Sequence, residues 1–373
     1  MGTPYLDITW QGNRKLSASA LEVRVEDHDR LIDQATLTLS DPAGTGAATV
    51  QPGQRLTIDL GWDGEHAVIF EGLVAETRAQ APQGGPQVVT VVARDLSQLM
   101  QRERRPHEDY HGTLGSVVRA VAARHPEIPI GQVACDPDPS FPEDRPVRQH
   151  DQTDYEFLLT LAQRYGARFF VEYNEGASKL YFVSDKKIAA AEPLGVLPYC
   201  RGRGKLIAFT YENVAARAAR RTSVSVHDPM TGEVRKAEGT APPRPPALAV
   251  DSGRAAEIGR ADPAARAVYE SAVAAGTVTP PPAVTDTAVA VASDPAAAEQ
   301  ATVPDPTRLL GLRGTGRAVG TVMLRAKGKV TIHGIAPWAE GDWYVSRATH
   351  IWRDTSAGGR PGASYEVEFT ATR

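Results

Sequence analysis

Hydrophobic and polar positions alternate through most of residues 1–93. Leu21, Val23 and Val25 fall on one face of a strand over Ala20–Val25, the period-2 pattern of a sheet with one side buried. Ala35, Leu37 and Leu39 repeat it until Asp41, Pro42 and Gly44 break the strand. Leu56, Ile58 and Leu60 share one face of Arg55–Trp62, and Asp63-Gly64 follows as a hairpin signal. Val68–Arg78 and Gln87–Arg94 continue the series. About six short strands at regular spacing predict a small antiparallel barrel.

The period changes after residue 93. Asp95 can cap a short helix through Met100, and Arg102, Arg104, Arg105 and Pro106 follow it. Thr113 caps a second helix, with Leu114, Val117, Val118, Val121 and Ala122 on one face and Pro126 beyond its end. Residues 126–146 are rich in Pro and Asp and predict a loop. Thr153 with Glu156 three residues on is a capping box. Phe157, Leu158, Leu161, Ala162 and Tyr165 then form the apolar face of a helix, and Gly166 suits a left-handed C-cap. Two strands follow, Ala167–Tyr173 and Lys179–Val183, with Asn174, Glu175, Gly176 and Ser178 in the turn.

The β pattern returns at 200–236, with strands at Leu206–Tyr211 and Thr222–His227 and a turn at Asp228–Gly232. Composition shifts sharply over 237–306, where Ala and Pro dominate and Tyr269 is the sole aromatic. This segment predicts a partly irregular insertion with one helix near Pro263–Ala275. Strands resume at Ala318–Arg325, Lys329–His333, Asp342–Trp352 and Ala363–Thr372, with Gly358-Gly359 in the last connection. The predicted fold class is α+β, mainly β. A first β-barrel domain (1–93) and a second, split one (200–236 and 307–373) flank an α/β domain (94–199). The insertion (237–306) interrupts the second barrel. No clear repeat of primary sequence links the two β blocks.

A chain of 373 residues calls for more than one core. The formal net charge of −4 gives no case for nucleic-acid binding. Two cysteines, Cys135 and Cys200, exclude a disulfide framework. The N-terminal residues lack the apolar core of a signal peptide, and no apolar run is long enough to span a bilayer. Synthesis and folding in the cytoplasm are therefore expected.

The run Gln152, Thr153, Asp154, Tyr155, Glu156, Phe157, Leu158, Leu161, Ala162, Arg164, Tyr165, Gly166, then Leu180, Tyr181 and Phe182, resembles the signature helix and hairpin of the phage late control D family. Weaker support comes from Pro52-Gly53, Gly61-Trp62, Phe70-Glu71-Gly72, and Asp95 followed by Arg102, Arg104 and Arg105. The resemblance covers most of the chain outside the insertion. It implies the baseplate hub of a contractile phage tail or contractile injection system, a structural protein with no catalytic, metal or cofactor site. It further implies a homotrimer whose two similar barrels per chain give pseudo-six-fold symmetry. That adaptor would join a hexameric inner tube to a trimeric spike, among other baseplate proteins. Because the chain stops at Arg373, the spike is expected to be a separate protein.

Candidate chemistry is sparse. His107, Glu108 and His111 stand in HEDYH, the spacing of a zincin motif, but Pro106 and Gly112 bracket it and no third ligand is evident. A solvated loop between helices is the expectation there. Gly311, Gly314, Gly316 and Gly320 neither follow a strand nor open a helix, so a nucleotide fingerprint is not indicated; a flexible lead-in to the second barrel is expected. Cys135 has no evident His partner. The rival readings are a tail-associated cell-wall hydrolase or metal-dependent peptidase using His107, His111 and nearby carboxylates, and a carbohydrate-binding β module.

Overall fold

The computed structural model describes residues 2–11, 14–200, 204–213, 220–227, 234–241, 271, 274–276, 284–287, 295–301, 305–308, 312–336, 339–356 and 362–373. The first block holds β1 (Pro4–Trp10), β2 (Ala20–His28), β3 (Gln34–Ser40), β4 (Arg55–Trp62), β5 (Glu65–Gln80) and β6 (Val88–Asp95), with a single-turn helix α1 (Gly46–Thr49). They pair antiparallel in the order β1-β4-β5-β6-β3-β2. The alternating residues land as their spacing dictates: Val23, Leu37, Leu56, Ile58, Leu60 and Val91 are fully buried. The alternation did not point to β1, in which Ile8 alone is buried; pairing of Pro4–Trp10 with Trp62–Leu56 makes it a strand.

Asp95 caps a 3-10 turn over Leu96–Gln101, its carboxylate accepting from the Ser97 amide. Two stretches read as loop are strands. β7 (Arg104–Tyr110) pairs with β11 (Val147–Thr153), and β9 (Ile130–Ala134) lies parallel to β13 (Ala177–Ser184). Their partners are remote in sequence, so local composition could not reveal them. Two-residue strands β8 (Gly112–Thr113) and β10 (Ser140–Phe141) pair with each other. Helix α2 (Leu114–Ala122) begins at the Thr113 cap. Helix α3 (Asp154–Arg164) begins at Thr153 with both halves of the capping box formed. Both pack their apolar faces, with β12 (Ala167–Asn174) and β13, into a second core containing Phe157, Leu158, Leu161, Phe169 and Phe182. Helix α4 (Asp185–Ala190) leads out.

The second block comprises β14 (Val196–Pro198), β15 (Leu206–Asn213), β19 (Leu312–Val319), β20 (Lys329–His333), β21 (Gly341–Asp354) and β22 (Ala363–Thr372). Within the run GLRGTGRAVG, Leu312–Val319 is thus strand, not a flexible lead-in. Aromatic rings lie over its glycines: a Cβ on Gly314 would come within 2.3 Å of the Phe209 ring, and one on Gly316 within 2.4 Å of Phe369. The glycines let Phe209 and Phe369 stack over the strand. Thr222–His227 lies in β16 (Arg220–His227), which does not join this sheet. It pairs with β17 (Val234–Ala241) and β18 (Val284–Thr287) in a sheet of its own. A short helix α5 (Pro295–Ala301) buries Ala297 in the middle-segment core. The turn at Asp228–Gly232 and Gly358-Gly359 lie outside the described residues, as does most of Pro263–Ala275.

The two blocks repeat one strand order. β14-β20-β21-β22-β19-β15 matches β1-β4-β5-β6-β3-β2 position for position. Two irregularities match too. A bulge between Ala20 and Glu22 on β2 recurs between Leu206 and Ala208 on β15. A second, between Val74 and Glu76 on β5, recurs between Val345 and Arg347 on β21. The Val74 amide donates to Gln54 O at 2.9 Å, and that of Val345 to Gly328 O at 2.8 Å. Gly53 and Lys327 occupy the same place in these turns, with φ of 86° and 66°. In this register Arg55-Leu56-Thr57-Ile58 aligns with Lys329-Val330-Thr331-Ile332. One strand departs: β1 is antiparallel to β4, whereas β14 is parallel to β20.

Strand β2 pairs along Glu22–His28 with Arg353–Arg347 of β21, fusing the blocks into one 12-stranded sheet. A single hydrophobic cluster runs through both, from Ile8 to Ala371. Among the described residues the path ends at β1 and β15 and no closed barrel is seen; the two blocks share one sheet.

Candidate functional site

The blocks are joined by the β2–β21 seam and by buried charge beside it. β2 and the turn after it supply Asp27, Asp29 and Asp33, and β6 ends in Asp95, all at most 6% exposed. The turn before β20 supplies Arg325 and Lys327. Lys327 has a left-handed backbone and a buried side chain. Its ammonium binds Asp27 through a short contact and Asp33 at 2.8 Å. Arg325 donates to Asp27 at 3.0 Å and lies 2.7 Å from Glu172 of β12, which brings in the middle segment. Nearby, Arg168 lies 2.7 Å from Asp185 and 3.6 Å from Asp29, and the Tyr344 hydroxyl donates to Asp29 at 3.1 Å.

The three carboxylates near Lys327 divide its charge unequally. Burial opposes ionisation of Asp27, but Lys327 and Arg325 outweigh it and hold that carboxyl well below the usual range. Burial pushes Asp33 well above the usual range despite Lys327, with the charges of Asp27 and Asp95 adding to the rise. Burial also raises Asp95. Asp27, held between Lys327 and Arg325, is the carboxylate at the centre of the joint, and Glu172 lies on the far side of Arg325. A buried set of this kind fixes one geometry because any displacement leaves a charge unpaired.

A second network ties α2 to α3. Arg124, just past α2, makes a short contact with Glu108 and lies 2.7 Å from Asp154. Tyr110 donates to Glu108 at 2.6 Å, and His125 lies 2.9 Å from Asp154. Glu108 is therefore engaged as a structural acceptor; the Tyr110 hydrogen bond and Arg124 lower its carboxyl.

The zincin-like residues are not brought together. His107 lies in β7 and His111 just beyond its end, and four extended residues span roughly 13 Å, too far to share an ion. His107 instead lies 3.3 Å from Asp109 and packs edge-on to His150 at 6.0 Å. Among the described residues no group of three His, Cys, Asp or Glu side chains is placed to hold a metal. Burial pushes the Cys135 thiol up to about 11, which disfavours the reactive thiolate. No helix among the described residues is long and apolar enough to cross a membrane.

Sequence reasoning missed Arg325, Lys327 and Arg168. Each stands in an unremarkable local context and acquires its partners only across the fold. An Asp-rich β2–β3 turn was the one available signal.

No curated protein sequence matches the chain. Among solved structures, it is similar over its whole length to a tail protein from Neisseria meningitidis MC58, at 12% identity and a TM-score of 0.63, covering 97% of that chain. It is equally similar to the 43 kDa tail protein of prophage MuSo2 from Shewanella oneidensis, at 11% identity and a TM-score of 0.64, covering all of this chain and 98% of that one. An Escherichia coli component of the type VI secretion system, described as structurally similar to the bacteriophage T4 tail proteins gp27 and gp5, matches at 14% identity and a TM-score of 0.55 over 98% of this chain and 76% of that one. At these identities the likeness establishes the fold. The family model for the phage tail baseplate hub matches residues 33–356, from the turn before β3 to the far end of β21, and by that match the chain belongs to the phage tail baseplate hub family.

Proposed function

We propose that the chain is the structural hub of a contractile tail-like particle. Three copies form a ring that joins a hexameric inner tube on one face to a trimeric spike on the other. The observation that carries this is the repeated strand order with its matched bulges. A chain with two like units, taken three times, presents six like units to a six-fold partner while remaining three-fold itself. The buried charge joint suits the role, because the two units must hold a fixed relation under load. The division into a first β unit, a middle segment, a split second unit and an insertion belongs to the same proposal. In this reading the protein is not an enzyme.

The test is co-expression of the full chain with candidate tube and spike proteins, followed by affinity purification, light scattering and particle imaging. Three copies between tube and spike are expected. Six copies in one ring, or a position in the sheath or outer baseplate, would overturn the proposal. Peptidoglycan turnover by the purified chain would instead support the hydrolase reading.

A further inference from the structure

The HEDYH motif has no use in the hub, yet the fold gives half of it a new partner. In the ribbon of β7 and β11, His107 stands directly opposite His150. Residues so placed have Cβ atoms about 4.5–5.5 Å apart. The two imidazole rings lie 6.0 Å apart, centroid to centroid, at 73°, and both residues are exposed. The register is fixed from the other side of the ribbon. Glu108 opposes Gln149, and both turn inward, where the Tyr110 hydroxyl and the Arg124 guanidinium reach each of them. A one-residue slip would tear that network. The fold itself thus holds the two histidines face to face.

We propose that His107 and His150 form a two-point site for a zinc ion, with water filling the remaining coordination positions. Imidazole nitrogen suits Zn²⁺, Cu²⁺ and Ni²⁺, whereas Mg²⁺ and Ca²⁺ take oxygen. Zn–N bonds of about 2.1 Å to two rings put their centroids about 5 Å apart, so the rings need close by only about 1 Å, within reach of side-chain rotation.

The flanking rows of the same face suit an added cation. On one side Asp109 opposes Arg148. Asp109 Oδ1 lies 3.3 Å from His107 Nε2 and 3.2 Å from Arg148 Nε. A carboxylate beside a histidine is a common support for a metal-bound imidazole, and it balances the arginine. On the other side Arg105 opposes Gln152 and lies 3.1 Å from Glu103, so that charge is balanced too.

The site is structural rather than catalytic. Glu108, the residue a zincin uses as general base, faces the opposite side of the ribbon and is held by Tyr110 and Arg124. The ion is a removable cross-link between two strands that are remote in sequence. With two protein ligands it is exchangeable, in contrast to an ion held by a three-residue cluster, which is absent among the described residues. Its binding energy adds to the stability of the ribbon, and so of the network behind it.

The test uses the full chain with the exposed thiol removed by Cys200→Ser. Titration calorimetry with Zn²⁺ should show one tightest site per chain, and Zn²⁺ should raise the melting temperature. His107→Ala and His150→Ala should each abolish both effects, while His111→Ala keeps them. Cu²⁺ serves as a spectroscopic stand-in: electron paramagnetic resonance should show two equivalent nitrogen ligands in the parent chain and one in either single variant. Melting of each variant without metal separates loss of the site from loss of the fold, and the nitrogen count in the parent chain stands even where a variant unfolds. Absence of stoichiometric Zn²⁺ binding, or binding that survives both His107→Ala and His150→Ala (an adventitious ion only), would overturn the proposal. So would binding lost in His111→Ala, which would restore the pairing along the strand.

Discussion

Removing either half of the Lys327–Asp27 pair at the centre of the joint is expected to cost far more than removing Asp33, the second carboxylate that Lys327 touches. Lys327 and Asp27 have side chains that are 2% and 3% exposed. Asp27→Asn leaves Lys327 and Arg325 buried without their common anion, and breaking a buried pair from one side costs about 3–5 kcal/mol. Lys327→Met leaves Asp27 with Arg325 alone, at 3.0 Å, and should cost about 3 kcal/mol on the same basis. Asp33→Asn should cost only about 1 kcal/mol. Burial and the charges of Asp27 and Asp95 oppose ionisation of Asp33, so a neutral amide there forfeits less charge pairing than at Asp27. The double variant Asp27→Asn with Lys327→Met should cost clearly less than the sum, because each change removes the partner the other strands. Urea unfolding read by tryptophan fluorescence suits the measurement, since Trp352 lies opposite Val23 in the seam. Equal costs for Asp27→Asn and Asp33→Asn would refute the unequal sharing of charge; strict additivity in the double variant would refute the coupling. The pH dependence carries the same information. Asp33 binds its proton more tightly folded than unfolded, so its contribution to stability declines as pH rises from the unfolded value near 3.8 through its raised folded value. Asp33→Asn should remove that slope.

Other outcomes follow from buried groups elsewhere. Leu161 is 1% exposed in the second core, so Leu161→Asp should cost roughly 3 kcal/mol or more, whereas Thr153→Ala, which loses only the helix cap, should cost about 1 kcal/mol; urea midpoints of the two variants would give the order. Burial, then Arg325, pushes the His350 imidazole down to about 3, so the unfolded chain binds the proton first. Stability should therefore fall as pH drops from about 6.5 towards 3, by up to about 1.4 kcal/mol per unit, and His350→Phe should flatten that slope in pH-resolved melts. Gly316→Val would drive a side chain into the Phe369 ring and should lower the thermal midpoint by several degrees through roughly 1–3 kcal/mol of overpacking, while Gly53→Ala, with open space around it, should register only the strain of its positive φ.

Strands that bury one face could be read from the chain because their period is written in neighbouring residues, as at Arg55–Trp62 and Lys329–His333, where prediction and structure coincide. The capping box at Thr153 and Glu156 was legible for the same reason: both halves lie within four residues. β7 and β9 were not, because their strand character comes from partners far along the chain. β19 was disguised by glycines whose purpose is visible only once Phe209 and Phe369 lie over them. The internal repeat escaped detection because what is preserved is hydrogen-bond register and bulge position rather than side-chain identity. Lys327 is the extreme case, with an anionic partner 300 residues away. The hub resemblance rested on the helix and hairpin at 149–183, and the family match agrees with it.

The hairpins β2–β3 and β15–β19 are counterparts, yet they have had opposite histories. In the first, Asp29–Asp33 closes the turn directly; in the second, residues 214–311 are spliced into the same corner. Chain length at a hairpin tip is thermodynamically cheap, on the order of 2–3 kcal/mol of closure entropy for an expansion of this size. What separates the two corners is occupancy. Asp29 and Asp33 are committed to Tyr344, Arg168 and Lys327, so any lengthening there would pull apart the joint between the halves. In the second corner the described ties lie towards its C-terminal end, where Ala297 enters the second core and the Thr307 carbonyl accepts from Thr372, so sequence exchanged ahead of Pro295 leaves those ties in place. A tail builder seeking a place to display a tag, a tether or a cargo domain should therefore cut at the second hairpin and leave the first intact.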